Sequence, residues 1–173
     1  MYRETPDNRG ISGIHAGETV NKNEDGSYDW IYVHYDGYPA GVGRMLLDRY
    51  PTRERAMKLV ALGDMSAVAP IPYSPSKAWR ETFTGWHEGD QPWLTEIRST
   101  MSETYCRTYG TPAQHVKDWH TLRRLFMASD REWLYVWDDK HGWRVLSAFG
   151  EWGAGRLTGL KPVVERNEKA WAK

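Results

Sequence analysis

Apolar and polar residues alternate with period two in two parts of the chain and recur at helical spacing in several others. Asp29-Trp30-Ile31-Tyr32-Val33 lies within the run Tyr28 to Tyr35 and is rich in β-branched and aromatic residues, as a buried strand requires. Upstream, Asn21 to Gly26 ends in Asp25-Gly26, a step that tolerates the left-handed backbone of a tight hairpin turn. Before that turn, Gly10 to Ala16 alternates through Ile11 and Ile14, which predicts a first strand and hence an N-terminal antiparallel hairpin. A second hairpin is predicted where Trp133-Leu-Tyr135-Val-Trp137 and Trp143-Arg-Val145-Leu-Ser147-Ala-Phe149 alternate on either side of Asp138 to Gly142.

Helices are predicted between and around these hairpins. Val42 to Tyr50 places Val42, Met45, Leu46 and Arg49 along one side, and Pro51 breaks the run. Thr52 suits the N-cap of a helix over Arg53 to Leu62, with Gly63 as its left-handed C-cap. Met57, Val60 and Ala61 share one face of that helix, flanked by Ala56, Leu59 and Leu62. Trp93, Ile97, Met101 and Tyr105 are spaced by four and suit a helix, although Thr104 to Tyr109 reads equally well as a strand. Asp118 is placed to cap a short helix with Leu122, Leu125 and Phe126 inward, and the charged tail from Leu160 suggests a loosely packed helix.

Between Asp64 and Pro92 the periodicity dissolves. Pro70, Pro72 and Pro75 crowd together, and Trp79, Trp86 and Trp93 are scattered in or just beyond this stretch. A structureless loop of such length is uncommon inside a compact domain, so about 67–106 is expected to be a packed insertion or functional cover. The whole reads as a single α+β domain. Its expected architecture is an antiparallel sheet from two hairpins with three or four helices packed on one face.

Composition narrows the function classes. At 173 residues the chain should bury about two-thirds of its unfolded surface. Ten Trp and ten Tyr against three Phe supply a large core payload, and the same residues favour interaction surfaces, self-association included. Lys plus Arg number 23, equal to Asp plus Glu, which disfavours duplex nucleic acid as a partner because phosphate contacts call for a basic excess. A single cysteine, Cys106, rules out an intrachain disulfide and a thiol-rich zinc site. The polar N-terminus carries no hydrophobic signal core and no apolar run is long enough to cross a bilayer, so the chain is expected in the cytoplasm without a membrane partner.

The densest chemistry lies in Tyr32-Val-His34-Tyr-Asp36-Gly37-Tyr38-Pro39-Ala-Gly41-Val-Gly43, where a strand turns into a helix. His34 and Asp36 point to one face if the strand continues through Asp36. They then suit an acid/base or metal pair, or a ligand clamp in which Asp36 takes ribose hydroxyls and His34 a phosphate. Alternatively, Asp36 caps the turn while His34 packs beside Tyr38. Gly37, Gly41 and Gly43 match neither the P-loop nor the dinucleotide fingerprint, yet the helix start at Val42 can offer amides to an anion. The candidate ligand-binding residues are therefore His34, Asp36, Tyr38, Gly41 and Gly43, and the candidate partner-binding residues are Trp79, Trp86 and Trp93. His87, His115 and His120 give only a weak zinc signal, Cys106 suits a small buried hydrophobe, and no cofactor is implied.

The block His34-x-Asp36-Gly37-Tyr38-Pro39-x-Gly41-x-Gly43, followed by Tyr50, Leu59, Leu62, Gly63 and Asp64, resembles a family of small accessory proteins of tailed phages and prophages. A weaker likeness covers Asp118 to Phe149, through Leu122, Leu125, Trp137, Gly142 and Trp143. The resemblance covers under half of the chain and departs in the Trp-rich region from Ala67 to Cys106. It implies a protein acting in the host cytoplasm, and it brings no catalytic residues. The expected function is a non-enzymatic counter-defence binder that sequesters a small nucleotide signal or blocks a host defence protein. A small hydrolase or transferase using His34 and Asp36 is the alternative.

Overall fold

The computed structural model describes residues 16–68, 103–104, 112–148 and 155–173. Strands β1 (Gly17–Lys22) and β2 (Tyr28–Val33) form the first hairpin, closed by Gly26 at φ 86°. The predicted first strand, Gly10 to Ala16, gives way to β1 as the hairpin's first arm; all but Ala16 of that run lies outside the described residues. Strands β6 (Trp133–Asp138) and β7 (Gly142–Ser147) form the second hairpin, turned by Gly142 at φ 66°. Short strands β3 (Met65–Ala67), β4 (Glu103–Thr104), β5 (Gln114–Val116) and β8 (Thr158–Gly159) extend the sheet. Strand β4 places Thr104, the first residue of the ambiguous stretch, in a strand, and Glu103 in a strand where a helix was expected.

The sheet runs β4-β3-β2-β1-β6-β7-β8, with β5 beside β2. It is mixed where a wholly antiparallel sheet was expected. The hairpins meet through a parallel pairing of β1 with β6, from Gly17 opposite Trp133 to Asn21 opposite Trp137, and β3 joins β2 in parallel at Val33. Pairing across so many residues leaves no local mark in the sequence, because strands read with period two in either direction.

Helices α1 (Arg44–Arg49), α2 (Arg53–Ala61) and α4 (Leu160–Trp171) bring Leu46, Leu59, Val60, Leu160 and Val164 against Ile31, Val33, Tyr135 and Val145 on one face of the sheet. Helix α3 (Trp119–Ala128) brings Leu122 and Phe126 against Val20, Trp30, Leu134 and Val136 on the other. The helices therefore cover both faces, where one was expected. Strand alternation explains it: Leu134 and Val136 are as apolar as Trp133, Tyr135 and Trp137, so both sides of β6 must be shielded from water.

Local signals held where capping chemistry was explicit. The Thr52 side chain accepts from the Arg55 amide at 3.4 Å, and Gly63 follows α2 at φ 85°. Asp118 Oδ1 accepts from the Thr121 amide at 2.7 Å and starts α3. The buried stripes are shifted from those expected: Ala56, Leu59 and Val60 face inward on α2 while Met57 is exposed, and Leu125 of α3 is exposed. The predicted loose tail is instead packed, with Leu160, Val163, Val164 and Asn167 of α4 buried.

Candidate functional site at the strand-to-helix junction

Strand β2 ends at Val33, and the chain reverses through Asp36 before entering a wide helical turn over Pro39–Gly43 and then α1. Asp36 has φ 56°, the one positive value for a non-glycine among the described residues. Its short acceptor-bearing side chain makes the left-handed conformation tolerable. The Asp36 carbonyl accepts from the Val42 amide at 2.8 Å, and its Oδ1 accepts from the Tyr38 hydroxyl at 3.1 Å. A Cβ on Gly41 would collide with the Asp36 carbonyl oxygen and approach Tyr38 Cε2 to 2.9 Å, so the turn can close only on glycine here. Beneath it, the buried Tyr135 hydroxyl donates to the Gly37 carbonyl at 2.6 Å and ties the junction to the sheet.

Helix α4 holds the other side. Asn167 Oδ1 accepts from the Ala40 amide at 2.8 Å, and Glu168 receives Arg44 Nε at 2.8 Å and Nη2 at 2.7 Å in a bidentate pair. That pair holds the Glu168 carboxyl below the usual carboxylate range. The Trp171 and Tyr38 rings lie 4.2 Å apart between centroids. At Gly43, a Cβ would stand 3.0 Å from Val164 and 3.2 Å from Leu160, so this glycine is what lets α4 approach so closely.

Beside the turn lies a cavity of about 380 Å³, lined by Tyr35, Asp36, Tyr38, Gly41, Asp48, Arg49 and neighbouring residues of α1, together with Val68. Tyr35 is 50% exposed and offers its ring to solvent. Tyr38 is pushed up to about 12 by burial first, then by the adjacent Asp36 charge and their hydrogen bond, so its hydroxyl stays protonated as a donor. The two cations differ. Arg44 is committed to Glu168 and to Asp48 at 3.5 Å, whereas Arg49 has no carboxylate partner among the described residues. Among the described residues the site therefore combines aromatic faces, the Asp36 carboxylate on the turn, the Asp48 carboxylate on α1 and a guanidinium without a carboxylate partner.

Of the five residues the sequence singles out, Asp36, Tyr38 and Gly41 line this cavity; His34 and Gly43 do not. His34 Nδ1 lies 2.8 Å from the Tyr32 hydroxyl, and its ring meets Tyr35 edge-on at 4.5 Å. Because β2 stops at Val33 and Asp36 turns left-handed, His34 and Asp36 are not set side by side on a continuing strand. The packing partners expected of His34 change accordingly, from Tyr38 to Tyr32 and Tyr35. Trp79, Trp86, Trp93, His87 and Cys106 lie outside the described residues. His115 pairs with Asp29 across β5 and β2 at 2.7 Å. Among the described residues no group of three potential metal ligands forms.

Tyr35, Arg49, Asn167, Glu168 and Trp171 are the residues sequence reasoning missed, Tyr35 although it lies within the His34 to Gly43 block. Arg49 was assigned only to a helix side. For α4 a signal did exist: Leu160, Val163, Val164, Asn167 and Trp171 recur at three- and four-residue spacing. Comparisons with protein-family profiles, curated proteins and solved structures return no match. No helix among the described residues is long and apolar enough to cross a membrane.

Proposed function

We propose that the protein is a non-enzymatic binder that holds a small nucleotide at the strand-to-helix junction, acting as a phage-encoded accessory protein on a host nucleotide signal. The supporting observation is the 380 Å³ cavity, which falls in the usual size range of small-molecule sites and collects complementary groups from the strand end, the turn and α1. In this reading Tyr35 stacks on the base, Asp36 accepts from ribose hydroxyls, and Arg49 takes the phosphate in a charge-assisted bond. Arg49 replaces His34 in the phosphate role, since His34 does not line the cavity. The phage context rests on the His34 to Gly43 block.

A binder is favoured over a hydrolase because, among the described lining residues, no Ser, Thr, Cys, Lys or His stands beside the Asp36 and Asp48 carboxylates. Titration calorimetry with a panel of mononucleotides tests the reading. Tyr35→Ala should weaken the best ligand roughly 5- to 150-fold, the range expected for one stacked base, and Arg49→Ala should weaken phosphorylated ligands but not the parent nucleoside. The ligand should be recovered chemically unchanged. Turnover of the ligand, or equal affinity in wild type and both variants, would overturn the assignment.

A further inference from the structure

We infer that Glu18 and Arg131 form a buried proton switch, in which loss of the Glu18 proton draws the Arg131 guanidinium into a hydrogen bond and its return releases it. Glu18 sits within β1, opposite Tyr32 of β2 on one side and Leu134 of β6 on the other. It is only 2% exposed, and its Oε2 has no hydrogen-bond partner among the described residues. Its Oε1 stands 3.5 Å from Arg131 Nε, beyond a good hydrogen bond, and that Nε is likewise unpartnered among the described residues. The pair is close enough to feel its charges and not yet closed.

Arg131 has a second attractor. Its guanidinium carbon lies 5.0 Å from the Tyr32 ring centroid, a cation–π geometry that does not depend on the charge of Glu18. One attraction therefore varies with the proton and the other does not, which is what a two-position side chain needs. Arg131 also retains a path to water, with 27% of its side chain exposed.

The described groups facing Glu18 come from three further elements. Tyr32 belongs to β2, Arg131 to the segment leading into β6, and Asp64 to the turn before β3, where it accepts from the Tyr32 amide at 2.8 Å. Tyr32 in turn meets His34, the next titratable group along β2. Burial lifts the Glu18 carboxyl to about 7; Arg131 works against that lift and Asp64 adds to it. Both protonation states are thus accessible near neutral pH, whereas an ordinary carboxyl would be ionised throughout. The switch sits at the seam between the hairpins, where the Glu132 amide donates to the Ala16 carbonyl at 3.1 Å.

Nuclear magnetic resonance of the full chain tests this directly, following the Glu18 side-chain carboxyl carbon and the Arg131 Nε–H signal from pH 4 to 9. The expected result is a Glu18 midpoint near 7 with the Arg131 signal moving at the same midpoint. In Glu18→Gln the Arg131 movement should vanish, and in His34→Gln it should persist. A Glu18 midpoint in the ordinary carboxylate range, or an Arg131 signal that stays flat through the Glu18 transition, overturns the inference. So does an Arg131 movement that survives in Glu18→Gln. The wild-type titration decides the matter even if a variant fails to fold.

Discussion

Asp36 carries two duties at one position, a left-handed backbone and an acceptor for Tyr38. Alanine can serve neither, so Asp36→Ala should destabilise by roughly 1–2 kcal/mol, the cost of forcing an ordinary L-residue into that conformation. Asp36→Asn keeps an acceptor and tolerates the backbone, and its denaturation midpoint should stay near wild type. Equal stability of the two variants would contradict this account. Glu18 gives the opposite kind of prediction. Its folded-state carboxyl titrates above the unfolded one, so the folded chain binds the proton more tightly. Stability from this group is greatest below the unfolded value, falls as pH rises, and is lost above about 7. Glu18→Gln should therefore gain stability relative to wild type between pH 5 and 8, by up to roughly 3 kcal/mol. Urea denaturation at both pH values checks it; a constant difference between the proteins would contradict the assigned shift.

At the scale of elements, the junction is held by α4 as much as by its own turn. Gly43→Val would press a branched side chain into Val164, Leu160 and Tyr135, and should cost about 1–3 kcal/mol by overpacking. Because α4 also supplies Asn167 and Glu168, the same variant should loosen the cavity, seen as faster amide exchange from Tyr38 to Met45. Unchanged exchange there would separate α4 from the site. How much of this was legible depended on the signal. Thr52, Gly63 and Asp118 announced their helix ends because capping is local chemistry. Strand β1 was missed because Glu18, Thr19 and Asn21 are polar yet buried, so its sequence carries no clean apolar alternation. The packing of α4 was missed because charged residues between Leu160, Val163, Val164 and Asn167 obscured the stripe.

Across the whole molecule, two hairpins joined in parallel leave β1 and β6 at the centre of the sheet and require cover on both faces. The α+β class, the second hairpin and strand β2 were readable from period-two runs, but the first arm of the first hairpin, the parallel joint and the second layer were not, the last two because they depend on contacts between distant residues. The junction was readable as a place. Its membership was not: a left-handed Asp36 separates His34 from the cavity, and folding brings Arg49 to its wall. The same joint places the candidate ligand site and the Glu18–Arg131 pair on one scaffold, so a ligand at the junction has a rigid seat without any moving part being required. The most direct test of that seat is native mass spectrometry of the protein purified from the cells that make it, alongside Tyr35→Ala and Arg49→Ala variants of unchanged fold. The account predicts a retained nucleotide mass at one per chain in the wild type and its loss from both variants. A chain that carries no small molecule, or variants that retain the same mass as wild type, would contradict it.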